Sequence, residues 1–231
     1  GMGDAFVSAG STGALLTGAT LLVKRVKGIR RAAMGPAMPN KAGGKTVILD
    51  CGANAECTPE FLLQFGLIGS LHAKKSLGIE NPRVGLLNIG TEDTKGTPLQ
   101  KEAYALLTDA HNKGLLNFIG NIEGRDVPEG KADIIVCDGF TGNIFLKTLE
   151  GLGKMMLKTI KAALYSKVRT RAAGLLIKGE MQGIRKTFDA GEFGGAPILG
   201  ISKPVIKAHG SSNAKAFKNA IRQAIAYCDT D

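Results

Sequence analysis

Residues 83–112 read RVGLLNIGTEDTKGTPLQKEAYALLTDAHN, and this stretch decides the fold. Arg83–Asn88 is a short, nearly continuous apolar run, as expected of a strand covered on both faces. A turn rich in Gly, Thr and acidic residues follows, and Pro98 then opens a helical pattern that runs to about Asn112. The same unit recurs along the chain. DAFVS at Asp4–Ser8 leads through AGSTG to a helix near Ala14–Lys27, and TVILD at Thr46–Asp50 leads through CGANAECT to a helix opened by Pro59. DIIVC at Asp133–Cys137 precedes DGFTGN and a long helix, and Pro204–Lys207 precedes AHGSSN and a closing helix over Ala214–Tyr227. Asn117–Ile119 is expected as a short strand without a long helix of its own. Strands alternating with helices predict an α/β fold, a mostly parallel sheet in an α/β/α sandwich. In such sheets the loops leaving the carboxyl ends of the strands share one edge, where ligands bind.

Composition narrows the function. The 231 residues are 44% hydrophobic and 22% charged, ordinary for a globular chain that buries its core without disulfide or metal staples. A single α/β domain over residues 4–231 is expected; Gly1 ahead of Met2 resembles a residue left by tag cleavage. Cys51, Cys57, Cys137 and Cys228 form no CxxC pair and only three histidines accompany them, so free thiols in a reducing cytoplasm are expected and no metal site. The uncharged run Ala5–Val23 is broken by glycines and hydroxyl residues and is not a membrane span. Gly10-Ser11-Thr12-Gly13 lacks the GxGxxG dinucleotide fingerprint. Gly44-Lys45-Thr46 ends like a phosphate-binding loop but has Pro39 where that loop's first glycine belongs. No GxSxG elbow occurs. Aromatic residues, at 5%, are too few for base stacking, so no nucleic-acid partner is expected.

Two surpluses have addresses. Eight of the 32 glycines stand in the five loops of the expected ligand edge, where backbone N–H groups can meet a small anion. The net charge of +10 is carried mostly by residues 151–188, which hold nine basic residues and one acid. Leu152, Met156, Ile160, Leu164 and Val168 recur every four residues there, predicting a basic amphipathic helical hairpin with the uncharged stretch Ala172–Ile177 between its helices. Such a hairpin packs internally or against a second copy, or it touches a membrane while its basic face meets anionic lipid or an acidic protein.

Taken in order, DAFVSAGSTGAL, ILDCGAN, PRVGLLNIGTEDTKG, NFIGNIEGRD, DIIVCDGFTGNIFLKTLEG, GGAPILG and AHGSSNAKAFKNAI resemble the bacterial phosphate acyltransferases of phospholipid synthesis, the PlsX family. The resemblance runs from Asp4 to about Ala226. It implies a fold similar to isocitrate dehydrogenase and phosphotransacetylase, and transfer of a fatty acyl group from acyl carrier protein to inorganic phosphate without a cofactor. It also implies a cytoplasmic, peripherally membrane-associated homodimer. Three departures stand out. The family's opening strands and DxMGGD-like motif have no counterpart here, Ser11 replaces the Asn of SAGNTG, and Arg31 replaces a Pro. A phosphotransacetylase-like enzyme using acyl-CoA, or a non-catalytic binding unit, would share these glycine loops.

The residues suit such chemistry. Phosphate is already anionic and needs positioning more than deprotonation, while a thiol of pKa ~8.5 leaves readily. An anion cradle and oxyanion donors are therefore required, but no Ser-His-Asp triad. Lys95, a cation just before a helix start and at the lysine of the family's GEExxKG motif, is the foremost catalytic residue, with His209 second. Ser8, Gly10, Ser11, Thr12 and Gly13 are expected to line the phosphate, joined by Asn54, Glu92, Asp138, Thr141, Asn143 and Ser211 on converging loops. Lys154, Lys158, Lys161, Lys167, Arg169 and Arg171 form the expected carrier-protein face, with Leu175 and Leu176 at the membrane tip.

Overall fold

The computed structural model describes residues 3–181, 183 and 195–229. Its elements run β1 (Phe6–Ser8), α1 (Thr12–Gly18), a π-helical turn (Ala19–Val23), β2 (Ala33–Met34), β3 (Ala37–Pro39), β4 (Lys45–Leu49), α2 (Pro59–Leu77) and β5 (Arg83–Asn88). They continue through α3 (Pro98–Asn112), β6 (Asn117–Glu123), a 3-10 turn (Gly124–Asp126), β7 (Ile134–Val136), α4 (Gly139–Tyr165), α5 (Val168–Leu176), β8 (Ala196–Leu199), β9 (Val205–Lys207) and α6 (Ala214–Cys228). The strand and helix of the opening stretch, Arg83–Asn88 and Pro98–Asn112, fall where that stretch predicts them. The basic segment beyond Gly183, including Ile184 to Phe188, lies outside the described residues.

The strands form two sheets rather than the single one expected, in the orders β1-β9-β8-β2 and β3-β4-β7-β5-β6. In the larger sheet β4, β7, β5 and β6 are parallel and β3 is antiparallel to β4; in the smaller one β1 and β9 are parallel, and β8 is antiparallel to both its neighbours. Pro36, between β2 and β3, helps explain the division: proline cannot donate to a ladder, and the chain changes sheets around it. Val47, Ile48, Leu49, Val84, Leu86, Ile134, Ile135 and Val136 are fully buried, as a parallel sheet covered on both faces requires. On one face α2 lies close because Gly69 has no side chain: a Cβ there would sit 2.7 Å from Leu49 and Ile134 atoms. On the other, Phe145 and Leu146 of α4 pack with Met34 and Met38 against Ile48, Ile122 and Ile135.

Three boundaries depart from the sequence reading. The first helix ends at Val23 instead of Lys27, because Lys24 takes φ 74° and Arg25 pairs with Ile201 in a β-bridge. β6 extends to Glu123; the polar, glycine-containing run Gly120-Asn121 hides its second half, but Ile122 is buried against the sheet. The basic hairpin bends at Ser166–Lys167 rather than at Ala172–Ile177. There the Ser166 hydroxyl donates to the Ala163 carbonyl at 2.8 Å, Lys167 is extended, and the Thr170 side chain accepts from the Lys167 N–H at 3.1 Å, which places the apolar stretch inside α5.

Asp50, fully buried just past β4, joins the sheets. Its carboxylate accepts from the backbone N–H groups of Met34 (2.8 Å), Ala53 (3.2 Å) and Asn54 (2.6 Å) and from the Asn54 amide (3.0 Å). Met34 in turn pairs with Ile198 of β8 and accepts from the Cys51 N–H at 3.0 Å, so one residue is bonded into both sheets. Burial pushes the Asp50 carboxyl upward and these hydrogen bonds pull it back. The first turn of α4 presses on the same residue, through Gly139 on its carboxylate and Gly142 on its backbone carbonyl. A Cβ on Gly139 would lie 2.5 Å from the Asn54 carbonyl, and one on Gly142 would collide with the Asp50 carbonyl.

Two sites in this packing are open to direct test. Gly142→Ala should lower the unfolding free energy by at least about 3 kcal/mol, whereas Gly151→Ala on the same helix, with nothing near its Cβ position, should raise it by about 0.5–1 kcal/mol. Urea unfolding of both variants checks this, and equal effects would contradict the close approach. The second concerns His72 on α2, which is buried with Nε2 3.1 Å from the Tyr227 hydroxyl of α6 and is pushed down to about 4 by burial. The unfolded chain takes up this proton near pH 6.5 and the folded chain only near 4, so stability is lost as pH falls through that window. The loss should reach about 2 kcal/mol at pH 5 and be absent in His72→Gln; parallel losses in both proteins would contradict the assignment.

Candidate functional site

A cavity of about 610 Å³ lies where α4 and the β2–β3 segment face the starts of α1 and β8 and the end of β9. Met34, Pro36, Met38, Leu146 and Leu149 give it apolar walls, and Thr12, Asn143, Lys147, Glu150, Lys207 and His209 supply its polar side. The exposed Lys41–Glu129 ion pair, at 3.0 Å, also borders it. Several hundred Å³ of mostly apolar wall with a few convergent polar groups is the usual form of a small-molecule site.

Local structure places each polar group. The Ser8 carbonyl accepts from the Ala208 N–H at 2.9 Å, so the loop after β1 runs beside the loop after β9. That register brings Thr12 and His209 to one cavity. Asp138 caps α4 by accepting from the Thr141 N–H at 2.8 Å and the Thr141 hydroxyl at 2.7 Å. From this fixed start, Asn143, Lys147 and Glu150 follow at intervals of four and three residues, on one helical face. Lys147 Nζ lies 2.9 Å from Glu150 Oε2 and 3.4 Å from His209 Nε2. His209 Nδ1 meets Ser211, at 2.7 Å from its Oγ and 3.2 Å from its N–H.

Charge shapes the group. Partial burial, then Lys147, with Lys154 and Lys207 in support, pushes the His209 imidazole below its ordinary value, while Glu150 opposes them. Burial and the Lys147 charge likewise lower Lys207. The result is a neutral imidazole among ammonium groups, an arrangement that attracts oxyanions. Burial drives the buried thiols the other way, raising Cys51 and Cys137 well above the usual range and Cys57 to about 12, so none of these three is a thiolate nucleophile near neutrality.

Of the residues the sequence singles out, Thr12, Asn143 and His209 line the cavity, and Ser211 holds His209 from behind. Ser8 accepts from the Gly10 N–H at 3.1 Å, and Ser11 starts α1 without a side-chain cap bond, with Gly13 in its first turn. Asn54 is bonded to Asp50 and, at 2.8 Å, to the Ala32 carbonyl; with Asp138 and Thr141 it holds the walls in place. Lys95 and Glu92 are exposed on the loop between β5 and α3 and do not line the cavity. That loop is pinned by the Asn88 amide donating to the Lys95 carbonyl at 3.1 Å and the Asn121 amide donating to the Glu92 carbonyl at 2.7 Å. Lys147, Glu150 and Lys207 escaped the sequence reading. For the first two a signal existed, the shared helical face with Asn143 in GNIFLKTLEG.

Away from the cavity, α4 runs for 27 residues yet buries only Gly139, Gly142 and Gly153. Leu152, Met155 and Met156 are about half exposed beside the exposed Lys154, Lys158 and Lys161, and Leu175 and Leu176 on α5 are 72% and 85% exposed. Lys167, Arg169 and Arg171 are exposed at the bend and on α5. Among the described residues no helix is long and apolar enough to cross a membrane.

Comparison with known proteins places the chain. It is 50% identical over 222 residues to the phosphate acyltransferase of Clostridium novyi, covering 96% of this chain and 65% of the relative. It is 48% identical over 228 residues to that of Acetivibrio thermocellus, covering 99% and 66%. The chain thus spans just under two thirds of the length of these relatives. In structure it is similar to the EutD phosphotransacetylase of Staphylococcus aureus, with a TM-score of 0.67 at 18% identity over 99% of this chain and 64% of that one, a likeness of fold. With the family model for fatty acid synthesis protein matching residues 1–231, the chain belongs to that family, as the loop motifs imply.

Proposed function

We propose that this chain carries the site of an acyl transfer from the thioester of acyl carrier protein to inorganic phosphate. The observation that carries the reading is the cavity, in which apolar walls adjoin the Lys147–Glu150–His209 cluster. An acyl chain suits the former and a phosphate the latter. Relatives near 50% identity named phosphate acyltransferase support the same reaction. A phosphate oxygen forms the new bond to the thioester carbonyl carbon, the C–S bond breaks, and the thiolate takes the proton that hydrogen phosphate brought. Acyl phosphate and free thiol result. The ammonium groups and the His209 ring offset charge on phosphate and on the developing oxyanion. Thr12 and Asn143 orient the anion. Lys95 and Glu92, exposed on the loop after β5, are proposed to meet the substrate on its way in from solvent.

The basic face of α4 and α5, from Lys154 to Arg171, is the proposed dock for carrier protein, which is acidic as a class. The exposed apolar residues beside it, with Leu175 and Leu176, are proposed to rest on an anionic membrane surface or a second copy of the chain. A cytoplasmic, peripherally membrane-associated homodimer is the corresponding arrangement. A phosphotransacetylase-like use of acyl-CoA is the second reading, favoured by the fold shared with the Staphylococcus aureus enzyme.

One assay separates these readings. Thiol release by the chain should require phosphate, proceed faster from acyl carrier protein than from acyl-CoA, and slow as salt rises from about 0.05 to 0.5 M. Faster release from acyl-CoA, unmoved by salt, would favour the acyl-CoA reading; release without phosphate would overturn the reaction itself.

A further inference from the structure

We propose that Lys147 is the phosphoryl-binding cation of the cavity and that Glu150 is its resident counter-ion, an internal competitor that keeps a bound phosphoryl group exchangeable. The proposal rests on the cavity being the site of acyl transfer. Its starting point is the tautomer of His209. The Ser211 backbone N–H lies 3.2 Å from His209 Nδ1. The Ser211 hydroxyl, 2.7 Å from the same nitrogen, can donate as well, and in the tautomer that satisfies both Ser211 contacts Nδ1 accepts and the neutral ring carries its proton on Nε2. Nε2 faces Lys147 Nζ at 3.4 Å, and an ammonium also can only donate. Two donors therefore converge on one spot in the cavity wall, a geometry satisfied by an oxyanion that accepts from both.

The charges agree. Lys207 lines the same cavity, and Lys154 bears on His209 from the next turn of α4. Among these groups the acid is Glu150, 2.9 Å from Lys147, its side chain 19% exposed. One carboxylate against three ammonium groups leaves a positive excess, which a phosphoryl dianion neutralises with charge-assisted hydrogen bonds. Glu150 and the phosphoryl group then compete for the Lys147 ammonium. The same chemistry belongs to free phosphate and to the phosphoryl end of an acyl phosphate. Only the latter also reaches the apolar walls at Met38 and Leu149.

Calorimetric titration of the whole chain with inorganic phosphate and with decyl phosphate tests this. Both should bind, decyl phosphate more tightly. Lys147→Ala should weaken both by about tenfold or more. Glu150→Gln should tighten both severalfold, the reverse of what loss of a fold-supporting residue gives. Met38→Ser should weaken decyl phosphate alone. Lys147→Gln serves if the alanine variant does not fold. Unchanged affinities in the Lys147 variants, or weaker binding in Glu150→Gln, would overturn the assignment while leaving the cavity as the site; no binding of either probe by the unaltered chain would overturn both.

Discussion

Everything the cavity offers depends on the buried carboxylate of Asp50. A carboxylate without water is costly unless its oxygens are filled. Three backbone N–H groups and one amide fill these. The partners come from two places, Met34 from the strand that stitches the sheets together and Ala53 and Asn54 from the loop after β4. The glycine turn of α4 closes over the same residue. The junction between the sheets, one wall of the cavity and the start of the helix carrying Lys147 and Glu150 are thus set by one cluster of hydrogen bonds. A shift of α4 would move Lys147 away from His209 and open the Asp50 cluster together.

That coupling explains why the polar side of the cavity can hold like charges close. Burial and the neighbouring cations disfavour protonation of His209 and Lys207, yet the backbone that carries them is held by the β1–β9 pairing and by the Asp50 cluster. Strain of this kind is tolerated where surrounding structure fixes it, and it favours an anion over any neutral ligand. The apolar walls come from the short strands β2 and β3 together with Leu146 and Leu149 of α4. Head and tail of an amphipathic substrate would therefore both meet α4, which carries groups of each kind.

Much of this was legible in the residues. Apolar runs such as Arg83–Asn88 and Thr46–Leu49, followed by glycine turns and a proline-opened helix, marked strands, loops and helices together. The division into two sheets was not legible, because Ala33–Pro39 is short and carries no strand-like alternation; only its hydrogen bonds to Asp50 and β8 reveal its role. His209, Thr12 and Asn143, which line the cavity, stand on loops that the residue pattern singles out. Lys95 drew attention as the lysine of a recognisable motif, while Lys147 sat unremarked inside a helical pattern whose basic residues all looked like one solvated face. Only the path of α4 past the end of β9 separates Lys147 from the outward lysines at 158 and 161.

The proposed phosphoryl site is the cavity between the sheets and not the glycine loop before α3. A crystal structure of the chain grown with decyl phosphate tests it most directly. The phosphoryl group should lie within hydrogen-bonding distance of both Lys147 Nζ and His209 Nε2, with the decyl chain along Met34 and Leu149. A phosphoryl group bound instead at Lys95, ahead of Pro98, with the cavity unfilled, would contradict it.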